Sequence, residues 1–347
     1  MISSRRQFLA RTGSAFSAAT LSSSFITSCG DGGNLILEAG SNDSFRISLA
    51  QWSQHIALKA GTLDNLDWPA YVKTNFQIEA LEWVNQFFSD KNPTLGNQPK
   101  GEAYLADMKK RCDDNGIRSL LIMCDGVGRL GDPDDTKRNN AVEGHYAWLE
   151  AAKHLGCHSI RVNAASDAEL SPENQGDLCV QGLGQLSEKA SEYGLNVIVE
   201  NHGGLSSHGG WLANVLKTVG RNNCGALPDF GNFFVVKNRG NADKYAVEKA
   251  NFEGDPELVE SEKGLEYDRY KGTRELMPYA KGVSAKAHDF DENGNEVHTD
   301  FVKMMTIVKD SGYEGYIGVE YEGKEIGEDE GILKTKALIE ESIAALA

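Results

Sequence analysis

Four residues of metal-ligand type close four consecutive apolar runs in the second half of the chain: Glu200 in VENHGG, Asp229 in ALPDFGNF, His288 in VSAKAHDFD and Glu320 in IGVEYEG. Carboxylates and imidazole suit a divalent cation, and a carboxylate can also accept a proton from carbon. Any one strand-end acid would ordinarily cap a strand or pair with a surface lysine. An acid or histidine at four successive run ends instead points to one shared site. The run before Glu200 is short and lies between Tyr193-Gly194 and Gly203-Gly204, which suits a strand covered on both faces.

These runs belong to a pattern that alternates from Phe45 onward. Strands are predicted at Arg46–Trp52, Gln77–Trp83, Ser119–Cys124, Ser159–Asn163, Asn196–Glu200, Gly225–Asp229, Val283–His288 and Tyr316–Glu320. Helical periodicity separates them, around Trp68–Phe76, Ala103–Asn115, Ala141–Leu155, Glu173–Tyr193, Trp211–Val219, Tyr267–Tyr279 and Phe301–Ser311, with Gly331–Leu346 closing the chain. Eight such units fit a closed α/β (β/α)8 TIM barrel better than a doubly wound sheet, because no G-x-G-x-x-G follows a strand. In a barrel the neighbouring strand ends converge on one face, so ligands far apart in sequence can surround one ion. One segment breaks the rhythm. Residues 233–266 are largely polar and charged, and a connection that long reads as a lid, a substrate wall or an insertion without a role.

The composition is globular, with 347 residues of which 40% are hydrophobic and 25% charged, enough for one large barrel. Removing residues 1–28, which hold Arg5, Arg6 and Arg11 and no acid, takes the formal charge from −16 to −19. Such a surface repels phosphate backbones and excludes nucleic acid as a partner. Ser4-Arg5-Arg6-Gln7-Phe8-Leu9 matches the twin-arginine export pattern, and Ile26-Thr27-Ser28-Cys29 resembles a lipoprotein cleavage site. Residues 1–28 therefore read as a signal peptide and 29–44 as a tether, leaving 45–347 as the catalytic domain. The protein is expected to be periplasmic and held at a membrane only through lipid on Cys29. The other cysteines, Cys112, Cys124, Cys157, Cys179 and Cys224, contain no Cys-x-x-Cys pair and read as buried thiols.

With Leu49-Ala50-Gln51-Trp52-Ser53, Ile78-Glu79-Ala80-Leu81-Glu82 and Val319-Glu320-Tyr321-Glu322-Gly323, the chain resembles the sugar phosphate isomerase/epimerase family, whose fold is the xylose isomerase-like TIM barrel. In its ketose 3-epimerase branch a divalent ion is held by Glu, Asp, His and Glu from the fifth to eighth strands, and the two glutamates exchange protons with the substrate. The resemblance places Glu200, Asp229 and Glu320 at three of these positions. The family's histidine commonly stands near Ser284 or Lys286 here. Alternation puts Ser284, Lys286 and His288 on one side of the strand, and His288 lies nearest the catalytic end. The expected ligands are therefore Glu200, Asp229, His288 and Glu320, against a site with three protein ligands. A Lys286 ammonium would oppose the ion unless carboxylates outnumber it.

Trp52, Glu79, Asn163, His202, Asn232 and Lys286 are the expected substrate contacts, an aromatic wall with polar groups that hold hydroxyls. Trp52 also reads as packing at the barrel end, and Glu79 as an internal ion pair with Arg161. The resemblance implies an isomerase or epimerase that uses Glu200 and Glu320 as bases on a sugar or keto-sugar. One ion would serve, Mn²⁺ or Mg²⁺ ahead of Co²⁺ or Zn²⁺. The same pair of bases could serve a dehydratase or lyase, and a carbohydrate-binding lipoprotein without catalysis is the third reading.

Overall fold

The structure, a computed structural model, describes residues 45–250 and 252–346. The segment read as signal peptide and tether, Cys29 included, lies outside the described residues. Eight parallel strands form the barrel: β1 (Arg46–Ala50), β2 (Ala80–Val84), β3 (Arg118–Met123), β4 (Ser159–Val162), β5 (Asn196–Glu200), β6 (Cys224–Leu227), β7 (Val283–Ala287) and β8 (Tyr316–Tyr321). Their order is β7-β8-β1-β2-β3-β4-β5-β6. The ring closes between β6 and β7 through the parallel bridges Ala226↔Ala280 and Asp229↔Ser284. There Lys281 N–H donates to Ala226 O (3.0 Å), Ser284 N–H to Pro228 O (2.9 Å) and Phe230 N–H to Ser284 O (3.0 Å). All eight predicted strands are present, and β5 has the predicted bounds.

Strand periodicity sorts the side chains. The outward residues of β5, Val197 and Val199, join the large core between barrel and helices. Ile198 instead joins a small inner cluster with Ala50, Val84, Leu121, Met123 and Leu227, beneath Trp52 and Phe87. Inward positions at the strand ends are polar because there the barrel opens to water, and Glu200, two residues beyond Ile198, falls among them.

Helices begin and end where the local chemistry says they should. Asp134 caps the helix Asp135–Gly144 by accepting from Thr136 and Lys137 N–H, and Asp300 caps Phe301–Asp310 through Lys303 N–H. Gly156, at φ 80°, stops Tyr146–Leu155 in the left-handed conformation. The predicted helix over 141–155 is in fact two helices, broken at His145, which is C-cap of one and N-cap of the next. His145 is buried, its Nδ1 donating to Ala141 O at 2.6 Å, and burial lowers its imidazole to about 4. The unfolded chain takes up that proton near pH 6.5 and the folded chain does not, so this group lowers stability as pH falls from about 6.5 to about 4, by roughly 3 kcal/mol. A His145→Gln protein should lose less stability over that window in urea titrations; an unchanged pH slope would contradict this account.

The insertion is folded. Phe234–Lys237, Leu258–Ser261 and Gly264–Tyr267 make a three-stranded antiparallel sheet, joined by a helix over Ala242–Ala250. Phe233, Val235, Val236, Leu265 and Tyr267 give it a small core of its own. His208 Nε2 meets Asp255 Oδ2 at 3.3 Å and Tyr267 OH lies 3.0 Å from Glu257 and 2.9 Å from Glu275, so polar contacts fasten it to the barrel helices. Those three ligand-type groups, His208, Asp255 and Glu257, are accounted for by this fastening and by the Lys271–Glu257 ion pair. A hairpin over Ser89–Asn92 and Gly96–Pro99 was not expected either. The five cysteines of the domain are free and buried, as read from the sequence.

Candidate active site at the open end of the barrel

Glu200 at the end of β5, Asp229 just past β6 and Glu320 in β8 meet with one oxygen each inside a 4.8 Å span, all three buried. Each is held by its own partners. Asp229 Oδ1 accepts from Gly231 N–H and Asn232 N–H, both at 2.8 Å, so the turn after β6 is folded around the carboxylate. Ser284 Oγ lies 2.8 Å from Asp229 Oδ2 and 2.6 Å from Glu320 Oε2, bridging the two. Asn232 donates to Glu200 Oε1 at 3.1 Å. Arg161 Nε is 2.7 Å from Glu200 Oε2 but off-line, so that oxygen has an ion partner and no aligned donor. Burial first, and then the neighbouring carboxylates, push Glu200 and Asp229 up to about 7, with Arg161 opposing at Glu200 and Lys286 at Asp229.

Lys286 is fully enclosed, its ammonium 3.6 Å from Asp229, 3.4 Å from Glu320 and 3.2 Å from Glu322. Burial opposes its charge, but the three acids outweigh burial and hold it well above lysine's ordinary pKa. Glu322 would likewise be raised by burial; Lys286 and His288 hold it at about 2. His288 is not in the carboxylate group. Strand β7 ends at Ala287, so the next residue no longer follows the inward alternation, and the half-exposed ring lies 3.9 Å from Glu322. Of the three residues that alternation alone would set on one side, Ser284 touches the carboxylate oxygens, Lys286 neutralises them and His288, past the end of β7, stands outside.

On the other side of Glu200, Arg161 also binds Asp125 at 2.8 Å, and Asn163 donates to the same Asp125 oxygen at 2.8 Å. Burial would raise Asp125, yet Arg161, His202 and Asn163 bring it to about 2. His202 opens onto the mouth, where enclosure by the barrel end and then Arg161 and Lys286 lower it to about 4, leaving a neutral ring. Trp52 sits over the inner cluster, stacked on His55 with centroids 4.7 Å apart and crossed by the Lys59 ammonium at 4.0 Å.

Glu79 is a correction. It precedes β2, at the opposite end of the barrel, exposed and paired with Lys73. Starting the strand at Gln77 misplaced it; the inward acid of β2 is Glu82, which accepts from Ser48 Oγ at 2.6 Å. Burial pushes Glu82 up to about 8, with Ser48 opposing and Glu320 and Glu200 adding to the rise. Asp125 and Glu322 were also missed. Asp125 follows the third strand as Asp229 follows the sixth, and Glu322 lies two residues past Glu320, so the reasoning that found their neighbours could have found both.

The donor set fits a hard divalent cation. Three buried carboxylates crowd one another, and one buried oxygen, Glu200 Oε2, lacks an aligned donor. Counting Asp125 and Glu322, five carboxylates face the two cations Arg161 and Lys286, so the acids outnumber Lys286 as an ion requires. Glu200, Asp229 and Glu320 would hold it.

Residues 80–347 match the family model described as "Xylose isomerase-like TIM barrel". Among solved structures, a D-tagatose 3-epimerase-like protein is 15% identical with a TM-score of 0.58, over 87% of this chain and 98% of its own. The 3-keto-D-glucoside 4-epimerase YcjR from E. coli is 13% identical with a TM-score of 0.57, over 86% and 99%. An IOLI protein with a bound zinc atom is 14% identical with a TM-score of 0.57, over 87% and 99%. At these identities the likeness is one of fold. No curated protein sequence matches the chain. With eight parallel strands closed into a ring and a family match across most of its length, the chain belongs to the xylose isomerase-like TIM barrel family.

Proposed function

We propose that this chain is a divalent-metal-dependent isomerase or epimerase that moves a proton next to the carbonyl of a sugar or keto-sugar. The observation that carries the reading is the meeting of Glu200, Asp229 and Glu320 at the open end of the barrel. When bound, the ion supplies Lewis-acid stabilisation of the negative charge that develops on a carbonyl oxygen, worth several kcal/mol. Glu200 and Glu320 are the bases. Arg161 and Asn232 fix Glu200, while Ser284 and Lys286 fix Glu320, so both carboxylates keep their aim as a proton arrives and leaves. Asp229 is tied to backbone N–H groups and Ser284 and serves as a ligand. His202 lines the pocket beside the carboxylates and would hold a hydroxyl there. The named epimerases of the same fold, and the zinc in one relative, support the reaction class and the ion. Three carboxylates favour Mn²⁺ or Mg²⁺, with Co²⁺ or Zn²⁺ also accepted.

A lyase or dehydratase is the second reading, favoured by one feature. The Lys286 ammonium is a proton donor between Glu320 and Glu322, and elimination of a β-hydroxyl needs an acid as well as a base. Incubating the Mn²⁺-loaded protein in deuterated water with a set of keto-sugars tests both. Deuterium on carbon next to the carbonyl is expected, with an epimer as product for one reading and a dehydrated sugar for the other. No exchange on any keto-sugar, with one ion bound per chain, would refute both.

Export and lipid anchoring belong to the same proposal, resting on Ser4 to Leu9 and on Ile26 to Cys29. Cys29→Ala protein should fractionate as soluble material in the producing cell, and Arg5→Lys with Arg6→Lys should leave precursor in the cytoplasm. Membrane attachment of the Cys29→Ala protein would overturn the lipid anchor.

A further inference from the structure

A pocket of about 380 Å³ opens beside the carboxylate mouth, with His202 and Asn232 on its inner wall. Asn232 donates to Glu200, so this pocket adjoins the proposed reaction centre directly. Its outer wall is the insertion. Phe234, Tyr245 and Phe252 line it, each only half-buried, and Glu260 holds the Tyr245 hydroxyl at 3.2 Å so that the ring is fixed in place. Lys237, Arg239 and Lys244 line it as well. Lys244 has Glu248 as a partner at 3.6 Å, whereas Lys237 and Arg239 have no carboxylate partner among the described residues.

We infer that this pocket binds a second sugar ring bearing an anionic group, a carboxylate or sulfate, so that the substrate is an acidic disaccharide or glycoside rather than a free monosaccharide. The inference rests on the proton-transfer reading of the adjoining carboxylates. A single ring held at Glu200 and Glu320 sits over the strand ends and leaves the space under the insertion for whatever is attached to it. Partly exposed aromatic rings are the usual platform for the apolar face of a sugar. The charge is the more telling feature. On a chain of net charge −16, three cations against one acid on a single wall make a local positive field beside an acidic mouth. A neutral second ring has no use for that field. The contacts of Asp255 and Glu257 with His208, Tyr267 and Lys271 fasten the insertion, so the wall is a fixed part of the mouth.

Calorimetric titration of the Mn²⁺-loaded protein with glucuronic acid, cellobiose and cellobiouronic acid tests this. Cellobiouronic acid should bind at least tenfold more tightly than either of the others, with an affinity that falls as salt rises. Lys237→Gln with Arg239→Gln should bring it down to the level of cellobiose. Phe252→Ala should weaken both disaccharides and leave glucuronic acid unchanged. Equal affinity for all three probes, or a double variant that still prefers the acid, overturns the inference. Deuterium exchange separates this from the parent reading. Exchange into monosaccharide keto-sugars without a preference for cellobiouronic acid sinks the pocket assignment alone, whereas a preference carried by Lys237 and Arg239 without any exchange upholds the pocket and sinks the proton-transfer chemistry.

Discussion

Glu200→Gln and Glu320→Gln proteins, each saturated with Mn²⁺, are expected to turn over a keto-sugar at least about 10²-fold more slowly than the native chain, the low end of what a positioned base supplies. An amide oxygen can still face an ion, but an amide cannot take a proton from carbon. Each variant should lose a contact in the metal-free state. In Glu200→Gln the amide NH₂ must point at either Arg161 Nε or Asn232 Nδ2, both donors, so one contact becomes repulsive. In Glu320→Gln the oxygen can stay with Ser284, but the NH₂ then faces the Lys286 ammonium, which is a donor too. Both should therefore melt below the native protein in EDTA, and both should recover with Mn²⁺, which separates a lost base from a lost fold. For an epimerase kcat falls in both variants, and one of them can still exchange a substrate proton with solvent. Near-native turnover by either metal-loaded variant would make that glutamate a ligand only and end the two-base mechanism.

Lys286→Met should be the most destabilising single change at the site when no ion is present, by about 3–5 kcal/mol, the usual cost of stripping the partner from a buried charge. The ammonium meets Asp229, Glu320 and Glu322 within 3.6 Å, and methionine fills its volume without its charge. The same change removes the ammonium that competes with a metal at Asp229 and Glu320. Mn²⁺ should accordingly bind the variant at least tenfold more tightly, a gain of about 1.4 kcal/mol, and raise its melting temperature more than it raises that of the native protein. Denaturant melts in EDTA and in Mn²⁺ measure both effects. A Lys286→Met protein as stable as native in EDTA would show that protons on the carboxylates, and not the ammonium, balance the charge.

Much of this architecture was legible in the chain. The helix Trp68–Phe76 and the strand Asn196–Glu200 have the predicted bounds, because each is a run of local periodicity ended by turn or capping residues. Glu200, Asp229 and Glu320 were legible for the same reason: they end apolar runs, and in a parallel barrel those ends share a face. Glu79 was misplaced because the strand starts at Ala80 and not at Gln77, which leaves Glu79 before the strand at the far end of the barrel and makes Glu82 the inward acid. The insertion was illegible because its strands are only four residues long and are held by antiparallel pairing that no local pattern announces.

Along β7 the sequence could narrow the contact to Ser284, Lys286 or His288 and no further. Which of them meets the carboxylates depends on pairings across the closed barrel: Ser284 with Asp229, 55 residues away, and Lys286 with Glu322, 36 residues away. By itself the sequence determined the eight strands, their order and the face on which the acids gather, since these follow from periodicities read over a few neighbouring residues. Only the tertiary structure decided that Ser284 bridges two carboxylates, that Lys286 is buried among three and that the insertion walls a pocket, because those contacts are set by the register with which distant strands close the ring.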